Sequence, residues 1–91
     1  MIKIRRISGD SMSPTLRNGS YIVISTKKKP IKDDIVLATL ASRQVVKRIV
    51  DVPQKDLFFL KGDNYKQSVD SREYGPIKIA AVIGVIIWPK Q

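Results

Sequence analysis

Short β-branched runs, each closed by a turn signal, limit what this chain can fold into. Tyr21-Ile22-Val23-Ile24-Ser25 follows Asn18-Gly19 and runs into Lys27-Lys28-Lys29-Pro30. Such a run, aromatic and β-branched with turns on both sides, predicts a strand. The same rhythm recurs. Ile2–Ile7 alternates loosely, and Ile35–Leu40 follows Asp33-Asp34. Val45–Val50 lies between the turn Ala41-Ser42-Arg43-Gln44 and Pro53. Leu57–Leu60 runs into Gly62-Asp63-Asn64, and Ile77–Ile87 reads as one strand, or two with a bend at Gly84. Residues 65–76 are polar and read as a loop. No segment carries amphipathic helical spacing. The pattern predicts an all-β domain over residues 1–91, a small, mostly antiparallel curled sheet or partly open barrel.

Composition narrows the chemistry. The 91 residues include no cysteine and no histidine. Thiolate chemistry is therefore absent, and so are the usual general base and the commonest metal ligand. Acid–base work near neutral pH falls to Lys, Asp, Glu or Tyr with a shifted pKa. The net charge of +9 suits an acidic partner such as nucleic acid, an anionic membrane surface or an acidic peptide. Aromatic residues are only 7%, and Phe58 and Phe59 are adjacent, which speaks against a stacking platform for nucleic acid. Met1–Arg6 leads into no apolar signal-peptide core. The longest apolar run, Ile79–Trp88, is shorter than the ~20 residues a membrane-spanning helix needs.

Three stretches could carry chemistry. The first is Gly9-Asp10-Ser11-Met12-Ser13-Pro14-Thr15-Leu16. Gly9 can adopt angles closed to other residues, and Pro14 restricts both itself and Ser13, so the loop presents Ser11 stiffly. Read alone, it is also an ordinary Ser/Gly/Pro connector. The second is the strand holding Lys47. Alternation puts Val45, Lys47 and Ile49 on one face, and Val46, Arg48 and Val50 on the other. A lysine held among such neighbours loses its proton more easily and can activate a hydroxyl. On an edge strand it would instead reach out to water. Arginine stays protonated, so Lys47 is the candidate base of the two. The third is Gly62-Asp63-Asn64 with Ser68-Val69-Asp70-Ser71-Arg72, dense in hydrogen-bonding groups, where Asp70 and Arg72 could pair. Alone it also reads as a polar surface loop.

Taken in order, the three resemble the signal peptidase I family of serine proteases. That family's nucleophile motif, G-x-S-M-x-P-T-L, is met at residues 9–16. Its Lys-Arg strand is met at Lys47-Arg48, and its G-D-N and S-x-D-S-R motifs at residues 62–64 and 68–72. The resemblance implies the signal peptidase catalytic core as the fold, shared with the SOS-repressor self-cleaving proteases, which lack the full motif set. It implies Ser11 as nucleophile and Lys47 as general base. Ser68 would orient the lysine, and Asp70 and Arg72 would brace their loop. Gly9, Asp10 and Met12 would border the oxyanion region and substrate cleft. The Ser11 N–H would serve the oxyanion, while Gly9 replaces a serine that supplies a second donor in some members.

The resemblance further implies a protein or peptide precursor bound as an extended strand, with small residues before the cut. No metal, cofactor or nucleic acid is called for. Membrane-bound members carry an anchor ahead of the serine, and larger ones insert a β-domain after the lysine strand. Here seven residues precede Ser8, and only residues 49–61 fill the second interval. The expectation is a cytoplasmic enzyme, with or without a peripheral membrane contact, that trims a leader or propeptide. The compact proteases that mature nickel-type superoxide dismutase look most similar. The alternatives are a secretory signal peptidase core lacking its anchor and a non-catalytic basic β-barrel that binds nucleic acid.

Overall fold

The computed structural model describes residues 1–64 and 75–90. Seven strands form one antiparallel sheet: β1 (Ile2–Arg6), β2 (Tyr21–Ser25), β3 (Ile35–Leu40), β4 (Arg43–Gln54), β5 (Leu57–Lys61), β6 (Ile77–Lys78) and β7 (Val82–Trp88). Their order across the sheet is β1-β2-β7-β3-β4-β5-β6, and the sheet does not close into a barrel. The curled all-β sheet expected from the sequence is the observed architecture.

The curl gives the sheet two apolar clusters. In one, Ile22, Ile24, Leu37 and Ile86 pack under Ile7, Met12 and Leu16 from the loop after β1. In the other, Val36, Ala38, Ile49, Phe58, Leu60, Ile77 and Val85 pack together. Strand β3 is buried on both faces, so Ile35 and Leu37 serve one cluster while Val36 and Ala38 serve the other. This explains why its sequence, Ile-Val-Leu-Ala, is apolar throughout rather than alternating.

Three sequence expectations are corrected. The turn after β3 is only Ala41-Ser42, both with positive φ (49° and 66°), and Arg43 already pairs with Leu40. Neither residue is the Asn or Gly usual in such a two-residue turn, so composition did not mark its limits. Pro53 does not end β4, which runs on to Gln54. Beyond Arg48, β4 is paired with β5 but no longer with β3, so its other side makes no ladder for a proline to break. The last segment breaks not at Gly84 but at a 3₁₀ turn, Ile79–Ala81. Gly84 lies within β7, where a Cβ would sit 2.5 Å from Ile24 Cγ2 and 2.7 Å from the Ser25 carbonyl oxygen. The glycine is there for close strand approach, not for a bend.

A bulge in the β2–β7 pairing puts Trp88 opposite Val23 and Ile86 opposite Ile24. Ile86 is therefore buried while Trp88 stays exposed. Ile2, Ile4 and Tyr21 are exposed on the same outer face, Ile4 directly across from Val23. No acidic residue occurs in β1, β2 or β7.

Candidate active site

The loop from Ile7 to Ser20 is fixed at both ends. The Ile7 N–H donates to the Ser20 carbonyl and the Gly19 N–H to the Ile7 carbonyl, each at 2.8 Å. Gly9 has φ of +92°, and its N–H donates to Asn18 Oδ1 at 3.1 Å. A side chain at Gly9 would meet no neighbour, so backbone conformation alone demands glycine here. A helical turn follows, with the Leu16 N–H donating to the Met12 carbonyl at 3.0 Å. Met12 and Leu16 are 1% and 2% exposed, so the loop hangs from the core by two apolar anchors. Ser11 lies just before the first anchor and is half-buried.

The turn at Gly62-Asp63-Asn64 grips this loop from the other side. The Asn64 N–H donates to the Ser11 carbonyl at 2.8 Å, and Asn64 Nδ2 donates to the Asp10 carbonyl at 3.0 Å. The Asp63 N–H points at Met12 Sδ, 3.4 Å away. Asp63 in turn receives two bonds from Arg48, 2.9 Å from Nε and 2.8 Å from Nη2. Arg48 Nη1 donates to the Asp33 carbonyl at 2.8 Å. The Arg48 guanidinium, with a further hydrogen bond from Thr15, holds the Asp63 carboxyl below its ordinary pKa despite partial burial.

Lys47 is on the opposite face of β4 from Arg48. It pairs with Val36, which is fully buried, and is itself 8% exposed. Among the described residues it is the one buried charged side chain. Its neighbours across and along the strand, Val36 and Ile49, are both fully buried, so the amine is largely shielded from water. Burial lowers its pKa from the usual 10.5.

Ser11 and Lys47 line one cleft of about 900 Å³, bounded by the end of β1 and the β3–β4 hairpin. Gly9, Asp10 and Met12 line it too. The Ser11 hydroxyl and N–H donate to no other described residue. Among the described residues, both walls of the cleft offer unpaired strand edges. Strand β1 is the last strand on its side, and β5 pairs with β4 only from Arg48 onward, leaving residues 43–46 without a strand on that side. No three His, Cys, Asp or Glu side chains among the described residues cluster as metal ligands would.

Of the residues singled out in the sequence, Gly9, Asp10, Ser11, Met12 and Lys47 come together at this cleft. Ser68, Asp70 and Arg72 lie outside the described residues. Sequence reasoning gave no role to Arg48, Asp63 or Asn64. A signal was present: alternation placed Arg48 on the face away from Lys47, and an arginine there calls for a carboxylate partner.

The sequence model of the family described as Peptidase S24-like matches residues 2–87. Mitochondrial inner membrane protease subunit 1 of Xenopus tropicalis is 33% identical over 115 residues, covering 92% of this chain and 68% of that protein. The subunit 1 of Schizosaccharomyces pombe is 27% identical over 118 residues, covering 98% and 75%. Both matched stretches exceed 91 residues, so the relatives carry insertions that this chain lacks. The chain belongs to the Peptidase S24-like family and is a serine peptidase of the signal peptidase I-like kind.

Proposed function

We propose that the chain is an endopeptidase that removes a leader or propeptide from a protein precursor with a Ser11/Lys47 dyad. One observation carries the reading: the buried lysine and the presented serine open onto the same cleft. Neutral Lys47 accepts the Ser11 hydroxyl proton as Oγ attacks the scissile carbonyl. The Ser11 N–H donates to the oxyanion. The lysine then protonates the leaving amine, and the acyl-enzyme is hydrolysed by a water that gives its proton to the same lysine. The precursor binds extended, adding a strand between the open edges of β1 and β4. Ser68 orients the lysine, and Asp70 and Arg72 brace their loop; these roles rest on the motif match alone.

The nickel-type superoxide dismutase precursor is the substrate we infer from the short interval, residues 49–61, between the lysine strand and the Gly62 turn. The test is incubation of the purified chain with precursor peptides, followed by mass spectrometry of the products. Wild type should cut at one bond, and Ser11→Ala and Lys47→Met should each abolish the cut while keeping a folded β-sheet spectrum. Full activity in Lys47→Met would overturn the dyad.

A peripheral membrane contact is the second part of the proposal. It is supported by the outer face of β1, β2 and β7, where Ile2, Ile4, Tyr21 and Trp88 are exposed and acids are absent. Lys27 and Lys29 follow β2 in the next loop. Aromatic and aliphatic groups with surrounding lysines suit an anionic lipid surface. Among the described residues no helix is long and apolar enough to cross a membrane. Strand β1 contributes to both this face and the cleft, so docking would bring the cleft close to the lipid.

A further inference from the structure

We propose that Arg5 and Arg43, on the two walls of the cleft, form a carboxylate-binding subsite that selects an acidic side chain about four residues from the scissile bond. The inference rests on the peptidase reading, with Ser11 and Lys47 at the reacting end. Among the described residues, the cleft is lined by Arg5, Arg6 and Arg43 besides Lys47, and the one acidic side chain lining it is Asp10, which adjoins Ser11. Among the described residues, no other carboxylate lines the cleft to neutralise these arginines.

The three arginines are not equivalent. Arg6 is committed to the outer face. Its Nε donates to the Gly19 carbonyl at 3.2 Å, and its guanidinium stands 6.0 Å over the Tyr21 ring. Arg5 makes one hydrogen bond, from Nη1 to the adjacent Ile4 carbonyl at 3.0 Å, which leaves most of its donors open. Arg43 is exposed beside the hairpin turn, and its guanidinium has no hydrogen bond or ion pair to any described residue. A guanidinium offers a planar fork that fits a carboxylate bidentately.

Register sets the distance. Arg43 and Lys47 stand four residues apart on one strand, ~13 Å at the usual strand rise. A peptide extended along the open edge of β4 advances at the same rise. Its side chain level with Arg43 is then the fourth or so from the carbonyl held at Ser11. In a chain of net charge +9, the surrounding field favours an anionic side chain there.

The test measures binding without turnover, on the full chain carrying Ser11→Ala. Fluorescent ten-residue Ala/Val peptides carry a single Asp, Ala or Lys at each position in turn. At one position the Asp peptide should bind about tenfold more tightly than the Lys peptide in low salt, the preference of one charge-assisted pair. The preference should vanish in the Arg5→Gln/Arg43→Gln double variant and shift toward Lys in Arg43→Glu, which a purely structural role would not produce. Cleavage by the wild type should place that position three to five residues from the cut. Binding that ignores charge at every position, including no measurable binding, overturns the subsite. So does an Asp preference that survives in the double variant. Failure of the peptidase reading shows separately, as wild type that cuts no peptide whatever its charge.

Discussion

Arg48 holds both carboxylate oxygens of Asp63, at 2.9 Å through Nε and 2.8 Å through Nη2. The pair joins the strand of Lys47 to the turn whose Asn64 holds the Ser11 loop. It thereby couples the two halves of the proposed dyad from outside the residues that line the cleft.

The first prediction concerns that link. Asp63→Ala leaves the Arg48 guanidinium half-buried without its carboxylate and removes the bond from Thr15. The expected cost is about 2–3 kcal/mol of stability, read from urea denaturation. Cleavage should fall further than the folded fraction does, because the Ser11 loop loses its grip. The pH dependence has a definite sign. The folded Asp63 carboxyl has a lowered pKa, so its stabilisation is complete above the ordinary carboxylate value. It is lost as pH falls through the folded value, below about pH 4. Asp63→Asn should flatten the stability profile in that acid range, and an unchanged profile would contradict the role.

Much of this was legible in the sequence, for identifiable reasons. Strands β2 and β3 lie where their β-branched runs and flanking turns put them, because their burial depends on local pattern. Lys47 was singled out because arginine stays protonated and because Lys47-Arg48 matched a family motif; alternation only put the two on opposite faces. Gly84 was misread because a glycine in a strand can mean a bend or a close neighbour. Only the position of Ile24 and Ser25 on β2 decides between them. The Arg48–Asp63 pair was missed because its partners are 15 residues apart and come together only through the β4–β5 pairing. Tertiary contacts of this kind leave no local pattern to read.

Lys47→Met separates catalysis from stability. Removing the base should lower the cleavage rate by about 10²–10⁴-fold. The folded state should be at least as stable at pH 7, by about 1 kcal/mol, since a buried amine gives way to an apolar chain of similar length. The sign follows from the lowered pKa. Between the folded value and 10.5, the unfolded chain binds the extra proton, so wild-type stability rises with pH across that window. The gap between variant and wild type should shrink from pH 6.5 to pH 9.5. A variant much less stable at every pH would mean that the amine makes an indispensable structural bond.

The wild-type rate should climb with pH along a limb whose midpoint lies below the usual lysine value. Initial rates on a precursor peptide from pH 5 to 10, at fixed ionic strength, locate it. An inflection at or above 10.5 would mean that the reacting base is not desolvated.

Gly84→Ala tests the close approach of β7 to β2. Its new Cβ would meet Ile24 Cγ2 and the Ser25 carbonyl, and the latter cannot turn aside as a side chain can. The expected loss is about 1–3 kcal/mol, measured by thermal or urea unfolding. A neutral result would show that the two strands separate easily.

Trp88 reports on the outer face directly, because it is the sole tryptophan in the chain. The bulge opposite Val23 keeps it exposed beside β1 and β2, strands that, like β7, carry no acidic residue. Vesicles rich in anionic lipid should therefore shift its emission to the blue as the indole leaves water, while purely zwitterionic vesicles should not. The shift should weaken with added salt, since the charged part of the attraction is screened over about 10 Å at 0.1 M. Ile4→Ser should weaken binding by removing an apolar neighbour across from Val23. That substitution leaves the buried cluster beneath Met12 intact, because Ile4 points outward. Unshifted emission on anionic vesicles would refute lipid contact at this face. A shift produced equally by both vesicle types would leave the apolar contact standing but deny the lysines their part in it.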